Sequence, residues 1–146
     1  MNIPAKDLTK QAPSSPRTRV GGYVILSRMA DKGRATLNGN VGEYHFNCPL
    51  DNFLFGFKDV KGDDVKALLA SGASDSDVAT WLGSHGTPKT TDEIKVWSDS
   101  VEATKPYDMS DKRDWFVGEC AKVGIDPKTS TLFDFLETDD KQSFKA

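Results

Sequence analysis

Between residues 63 and 136 the chain repeats one pattern: a polar residue able to cap a helix, then apolar residues three and four positions apart. Asp63 or Asp64 precedes Val65, Leu68 and Leu69. Ser74, with Asp77 three residues on, precedes Val78, Trp81 and Leu82. Thr91 precedes Ile94, Trp97 and Val101. Ser110 precedes Trp115, Phe116, Cys120 and Val123, and Gly124 closes that segment. Ser130 or Thr131 precedes Leu132, Phe133, Phe135 and Leu136. This spacing puts the apolar side chains on one face of a 3.6-residue turn, and the capping hydroxyl or carboxylate satisfies an amide that the first turn leaves unpaired. Strands do not alternate with helices, which argues against a parallel sheet. The pattern predicts a mainly α fold, a single domain of five or six helices, with the tryptophans packed in its core.

The first third is less regular. Pro4 and Pro13 punctuate residues 1–15, which read as an N-terminal arm. Ser15-Pro16 suits a helix start, because proline's missing N–H would be unpaired there anyway. A helix is expected over residues 16–37, with Tyr23, Leu26, Met29, Ala30, Gly33 and Leu37 on one face and Arg17, Arg28, Asp31 and Lys32 on the other. Gly21 and Gly22 weaken it and mark either a close contact or the true start. Asn38-Gly39-Asn40 ends it. A short extended segment or loop follows near residues 42–47, and Asp51 is placed to cap a helical turn running to Phe57. The helical domain is expected to span residues 16–138, with a polar tail fraying over 139–146.

No apolar run approaches the length of about 18 residues that crosses a bilayer, and the first ten residues lack a signal-peptide core. A soluble, cytoplasmic protein with no membrane partner is therefore expected. Cys48 and Cys120 are too few for a disulfide scaffold. The net charge is −3 and the isoelectric point about 5.3, which argues against nucleic-acid binding. The charge is nevertheless uneven. Residues 1–40 hold Lys6, Lys10, Arg17, Arg19, Arg28, Lys32 and Arg34 against only Asp7 and Asp31, so the remainder is strongly acidic. Either the two parts pair internally or the basic third builds an anion site.

Two clusters could carry chemistry. In Arg28-x-x-Asp31-Lys32-x-Arg34 the charges sit three residues apart and can pair along a helix. With Arg17 they could instead grip a carboxylate or phosphate, because a guanidinium donates two parallel hydrogen bonds. In Tyr44-His45-x-Asn47-Cys48-x-x-Asp51 a phenol, imidazole, amide, thiol and carboxylate crowd one short stretch. A nucleophilic thiol needs a nearby base or cation; otherwise Cys48 is a small buried hydrophobe. His45 and Cys48 are too few for a zinc site. The acidic residues Asp134, Glu137, Asp139 and Asp140 do not have calcium-loop spacing and read as a solvated helix end. Phosphate-binding loops, hydrolase elbows and nucleotide fingerprints are absent, so neither a cofactor nor a metal is expected.

The runs Asp7-Leu8-Thr9, Ala12-Pro13-x-x-Pro16, Gly22-Tyr23, Arg28-Met29-x-Asp31-Lys32-x-Arg34-Ala35, Gly42-x-Tyr44 and Asn47-Cys48-Pro49-Leu50-Asp51 together resemble a bacterial family catalogued as a domain of unknown function. Trp81-Leu82 and Thr131-Leu132-Phe133-Asp134 fit it too. The resemblance covers most of the chain. It implies one bacterial cytoplasmic domain and carries no catalytic residues with it.

The leading functional expectation is a small-molecule binding domain. Its site would lie between the helix at 16–37 and the loop at 41–57. Arg17, Arg28, Lys32 and Arg34, with Asp31 among them, would receive a small anionic ligand that Tyr44, Asn47 and Asp51 orient. One alternative is an enzyme with Cys48 as nucleophile and His45 or Tyr44 in proton transfer. Another is an interaction module that docks the basic third on an acidic protein or RNA; few aromatic residues interleave with the basic ones, so single-strand stacking is a weak case. Nothing in the pattern sets an oligomeric state.

Overall fold

The computed structural model describes residues 3–144. Among these residues seven α-helices form where five or six are expected: α1 (Leu26–Asn38), α2 (Pro49–Lys58), α3 (Gly62–Ala70), α4 (Asp75–Ser84), α5 (Thr91–Glu102), α6 (Arg113–Val123) and α7 (Leu132–Ser143), with a 3-10 turn at Pro106–Asp108. Among the described residues there is no strand, and one isolated bridge joins Val20 and Tyr23. The stretch at 42–47 is a loop of turns. No described helix is long and apolar enough to cross a membrane.

The capping pattern explains much of this. Ser74, Thr90 and Thr131 each accept the amide three residues on, while Asp77, Glu93 and Asp134 reach back to the cap amide, so three helices open with reciprocal boxes. Several expected caps are corrected: Cys48 and Lys61 flank α2 and α3 without a side-chain cap bond, so Asp51, Asp63 and Asp64 are first-turn residues rather than caps. Thr91 lies inside its helix and Thr90 does the capping. Helix α6 starts from Lys112 without a side-chain cap, so Ser110 plays no such role. Asp63 and Asp64 sit in the first turn of α3, where their charge favours the positive end of the helix dipole.

The main correction concerns the first helix, which begins at Leu26 rather than at residue 16. Gly21 and Gly22 take φ of 60° and 85°, and Ile25 sits at φ 74° just before the helix. A side chain at Gly21 would meet Ala79 Cβ at 2.8 Å. The chain therefore makes a tight turn against α4 instead of a helical one. The Ile25 amide bonds back to the Pro16 carbonyl at 2.9 Å. The hydroxyl of buried Ser98 on α5 pins the turn by donating to Gly22 O at 2.6 Å and accepting from Val24 N at 3.2 Å.

Helix α1 is the centre of the molecule. Leu26 through Gly33 are all buried, and so is Ala35. Around it, Tyr23, Val24, Ile25, Met29, Leu54, Phe55, Val65, Leu69, Val78, Leu82 and Phe133 form one apolar core. A smaller cluster of Phe116, Cys120 and Phe135 joins α6 to α7, and Leu136 packs against both. Trp81 and Trp97 lean on the main core as expected, but Trp115 is 50% exposed. The expected amphipathic split of the first helix fails in the same way. Arg28, Asp31 and Lys32 are 4%, 7% and 3% exposed, while Leu37 is at the surface.

The two ends of the chain cover α1. Leu8 is buried, its amide bonds to Asn40 O, and Ile3 and Asn38 exchange two hydrogen bonds. At the other end α7 continues through Ser143, across the residues for which the sequence predicts fraying, and Asp140 is buried.

Candidate functional site

A cavity of about 540 Å³ opens between α1, the loop at 42–48 and the last turns of α7. That volume suits a small organic ligand. Its lining presents Arg28, Lys32, Tyr44, His45, Cys48 and Asp139, and Leu8, Leu50, Leu136 and Phe144 supply apolar surface.

Each polar group reaches the cavity for a local reason. Arg28 and Lys32 are one helical turn apart on α1, so they share a face. Cys48 is the N-terminal flanking residue of α2, held extended before Pro49, whose fixed φ suits the first helical position. Asp51, in the first turn of that helix, is fully buried and accepts the Asn47 amide at 2.9 Å, which holds Asn47 at φ 61° and folds the loop over α1.

Two linked charge groups result. In the first, Arg28 pairs with Asp140 on α7 through both guanidinium nitrogens, at 2.7 and 3.3 Å. Tyr44 donates its hydroxyl to the same carboxylate at 2.8 Å, and the Arg28 guanidinium lies 5.4 Å from the Tyr44 ring centre. Burial, followed by the Asp140 hydrogen bond and charge, pushes the Tyr44 phenol well above its ordinary value. Tyr44 is therefore a fixed donor rather than a proton carrier. In the second group, Lys32 Nζ stands 3.0 Å from Asp51 Oδ1 and donates to Cys48 Sγ at 3.2 Å. Asp51 Oδ1 receives no well-directed hydrogen bond, so its contact with the ammonium is ionic rather than directional. Asp139, beside these groups, has its carboxyl raised by burial first and then by the charges of Asp140 and Glu119.

Of the residues singled out in the sequence, five meet at the cavity: Arg28, Lys32, Tyr44, His45 and Cys48. Asp51 stands behind Lys32, and Asn47 shapes the loop, its carbonyl and side-chain oxygens both accepting from Asn52. His45 is exposed and has no hydrogen bond among the described residues. The others lie elsewhere. Arg17 bonds Asp134 and Glu137 on α7, at 2.7 and 3.0 Å. Arg34 pairs with Asp75 at 2.8 Å and Asp31 at 3.5 Å, and Asp31 also takes the amide and hydroxyl of Ser14 and the Lys6 ammonium. Of the acidic residues read as a solvated helix end, Asp134 and Glu137 are thus counter-ions of Arg17, and Asp140 of Arg28. Sequence reasoning left Asp139 and Asp140 on a solvated helix end and Leu136 on a helix face, and did not single out Phe144. Their one available signal was charge complementarity between a basic first third and an acidic last helix.

The family model of DUF5069, a domain of unknown function, matches residues 10–142. The chain belongs to that family. The match runs from the segment before α1 to the last turn of α7, so it takes in most of the cavity lining of this DUF5069 chain but not Leu8, Thr9, Ser143 or Phe144. No curated protein matches it.

Proposed function

We propose that the cavity binds a small organic molecule with an apolar body and an acceptor-rich, carboxylate-type head. The observation that carries this reading is the meeting of Arg28, Lys32 and Cys48 with the wall of Leu8, Leu50, Leu136 and Phe144 in one cavity of about 540 Å³. Charged and polar side chains share the lining with apolar ones, and small-ligand sites are built in this way.

The charge pairing refines the class of ligand. Arg28 and Lys32 are already balanced by Asp140 and Asp51, so a bare inorganic anion gains little net attraction. The head group is met as a hydrogen-bond acceptor by Arg28 and Lys32. Most of the affinity must then come from the apolar body, at roughly 0.8 kcal/mol for each buried methylene. The same pairing speaks against the basic third as a docking face for nucleic acid, because Arg17, Arg19, Arg28 and Arg34 all carry carboxylate partners.

Titration calorimetry with straight-chain carboxylates from acetate to decanoate tests the proposal. Affinity is expected to rise with chain length, while phosphate and sulfate stay silent. Ser143→Trp, which places a bulky ring at the cavity rim and leaves both buried ion pairs intact, is expected to abolish binding. Binding at no chain length, or undiminished binding by Ser143→Trp, would overturn the reading.

A further inference from the structure

Lys32 is 3% exposed, yet its ammonium is spent on a thiol and on one carboxylate oxygen. That oxygen, Asp51 Oδ1, is wholly buried and has no directed hydrogen bond. The thiol side of the arrangement faces the cavity and is partly open. One amine thus touches both a thiol, at 3.2 Å, and an under-used proton acceptor, at 3.0 Å. Structural stability does not require this. A buried lysine could pair with a carboxylate alone, and a small apolar residue would fill the place of Cys48.

We propose that Cys48 and Lys32 form a covalent sulfur–nitrogen cross-link when a peroxide enters the cavity. The proposal rests on this geometry and is independent of which ligand the cavity takes. In the first step the Cys48 sulfur attacks a peroxide oxygen. The S–O bond forms, the O–O bond breaks, sulfur loses two electrons to the peroxide, and the thiol proton leaves with the second oxygen as water. Cys48 is then a sulfenic acid, which a nucleophilic nitrogen can capture. In the second step Asp51 Oδ1 takes one proton from the Lys32 ammonium. The freed lone pair of Nζ attacks sulfur, the S–O bond breaks, and the departing hydroxide takes a second proton from nitrogen to leave as water. One thiol, one ammonium, one carboxylate and one hydrogen peroxide become one sulfenamide, one carboxylic acid and two waters. The product ties α1 to the N-terminus of α2 through two side chains that line the cavity.

Cys120 is an internal control. It is fully buried between Phe116 and Phe135, and burial raises its thiol above the ordinary value, so it is expected to stay reduced. The full chain is treated with graded hydrogen peroxide, denatured, alkylated and digested, and the peptides are read by tandem mass spectrometry. The expected product joins the Cys48 and Lys32 peptides at a mass about 2 Da below their sum, is reversed by dithiothreitol, and is absent from Cys48→Ser. Lys32→Arg keeps a cation for Asp51 but removes the nucleophile, and is expected to carry Cys48 forward to the sulfinic acid, a gain of about 32 Da. If Lys32→Arg does not fold, the wild-type spectrum still decides. Cys48 found oxidised with Lys32 free, or as unreacted as Cys120, would overturn the proposal. Neither result touches the carboxylate titration, so the two readings fail separately.

Discussion

At the scale of single residues, the charged side chains of α1 are the unusual feature. A buried Arg28 would be costly alone. It is tolerated because Asp140 meets it on both nitrogens and Tyr44 completes the carboxylate's hydrogen bonding. Such pairs add little net stability over well-packed apolar residues, but breaking one is expensive because the partner stays buried. Arg28→Ala is therefore expected to cost about 3–5 kcal/mol in urea denaturation. The double change Arg28→Met with Asp140→Leu should recover most of that. A loss below about 1 kcal/mol for the single change would mean that Asp140 finds water or another donor. The residue types were legible in the sequence, and so was their capacity to pair. The sequence reading matched Arg28 with Asp31 along the helix; the structure pairs it with Asp140, 112 positions away.

At the scale of elements, the C-terminal helices obey local rules and the first helix obeys a tertiary one. Three helices open with capping boxes that depend only on residues three apart. Thr90→Ala removes the hydroxyl that accepts the Glu93 amide, and should lower the unfolding free energy by about 1 kcal/mol, while Ser110→Ala should change it by less than about 0.5 kcal/mol. Equal effects of the two changes in chemical denaturation would show that the hydroxyl of Thr90 is not what starts α5. Residues 16–25 carried a plausible helix signal in Ser15-Pro16 and in the apolar spacing beyond. The structure overrules it because Gly21 packs against Ala79 and Ser98 captures the turn's carbonyl and amide. A local pattern cannot report contacts with residues 58, 74 or 76 positions on, and helix propensity is a weak prior beside them.

At the scale of the whole molecule, charge draws the two ends of the chain together over α1. Arg17 holds Asp134 and Glu137, Arg19 holds Asp99 and Glu102, and Arg28 holds Asp140. Burial alone would raise the carboxyls of Asp134 and Glu137. Hydrogen bonds to Asp134 from Thr131, and to Glu137 from Arg17 and Ser15, with the Arg17 charge, hold both below their ordinary values instead. Folded carboxyls depressed in this way stabilise the fold above their unfolded values, and the contribution is lost as pH falls through the folded ones. The urea midpoint of the native chain should thus exceed that of Arg17→Gln most clearly above about pH 5, and the gap should close in acid once both carboxyls are protonated in both states. A gap that persists unchanged to about pH 2 would assign the Arg17 contribution to packing of its stem rather than to charge.

The sequence by itself determined the class of the fold, the caps at Ser74 and Thr131, the small set of residues worth examining and the charge imbalance between the two ends. Those depend on neighbours three and four apart, or on composition, and both are written locally. Only the tertiary structure decided that Arg28, Lys32 and Cys48 share a cavity while Arg17 and Arg34 do not. It also decided that α7 supplies the far wall. Each of those outcomes depends on which carboxylate lies opposite each cation once α1 is enclosed. That choice is made by the packing of distant elements, and an electrostatic partner leaves no periodicity in the chain from which it could be read.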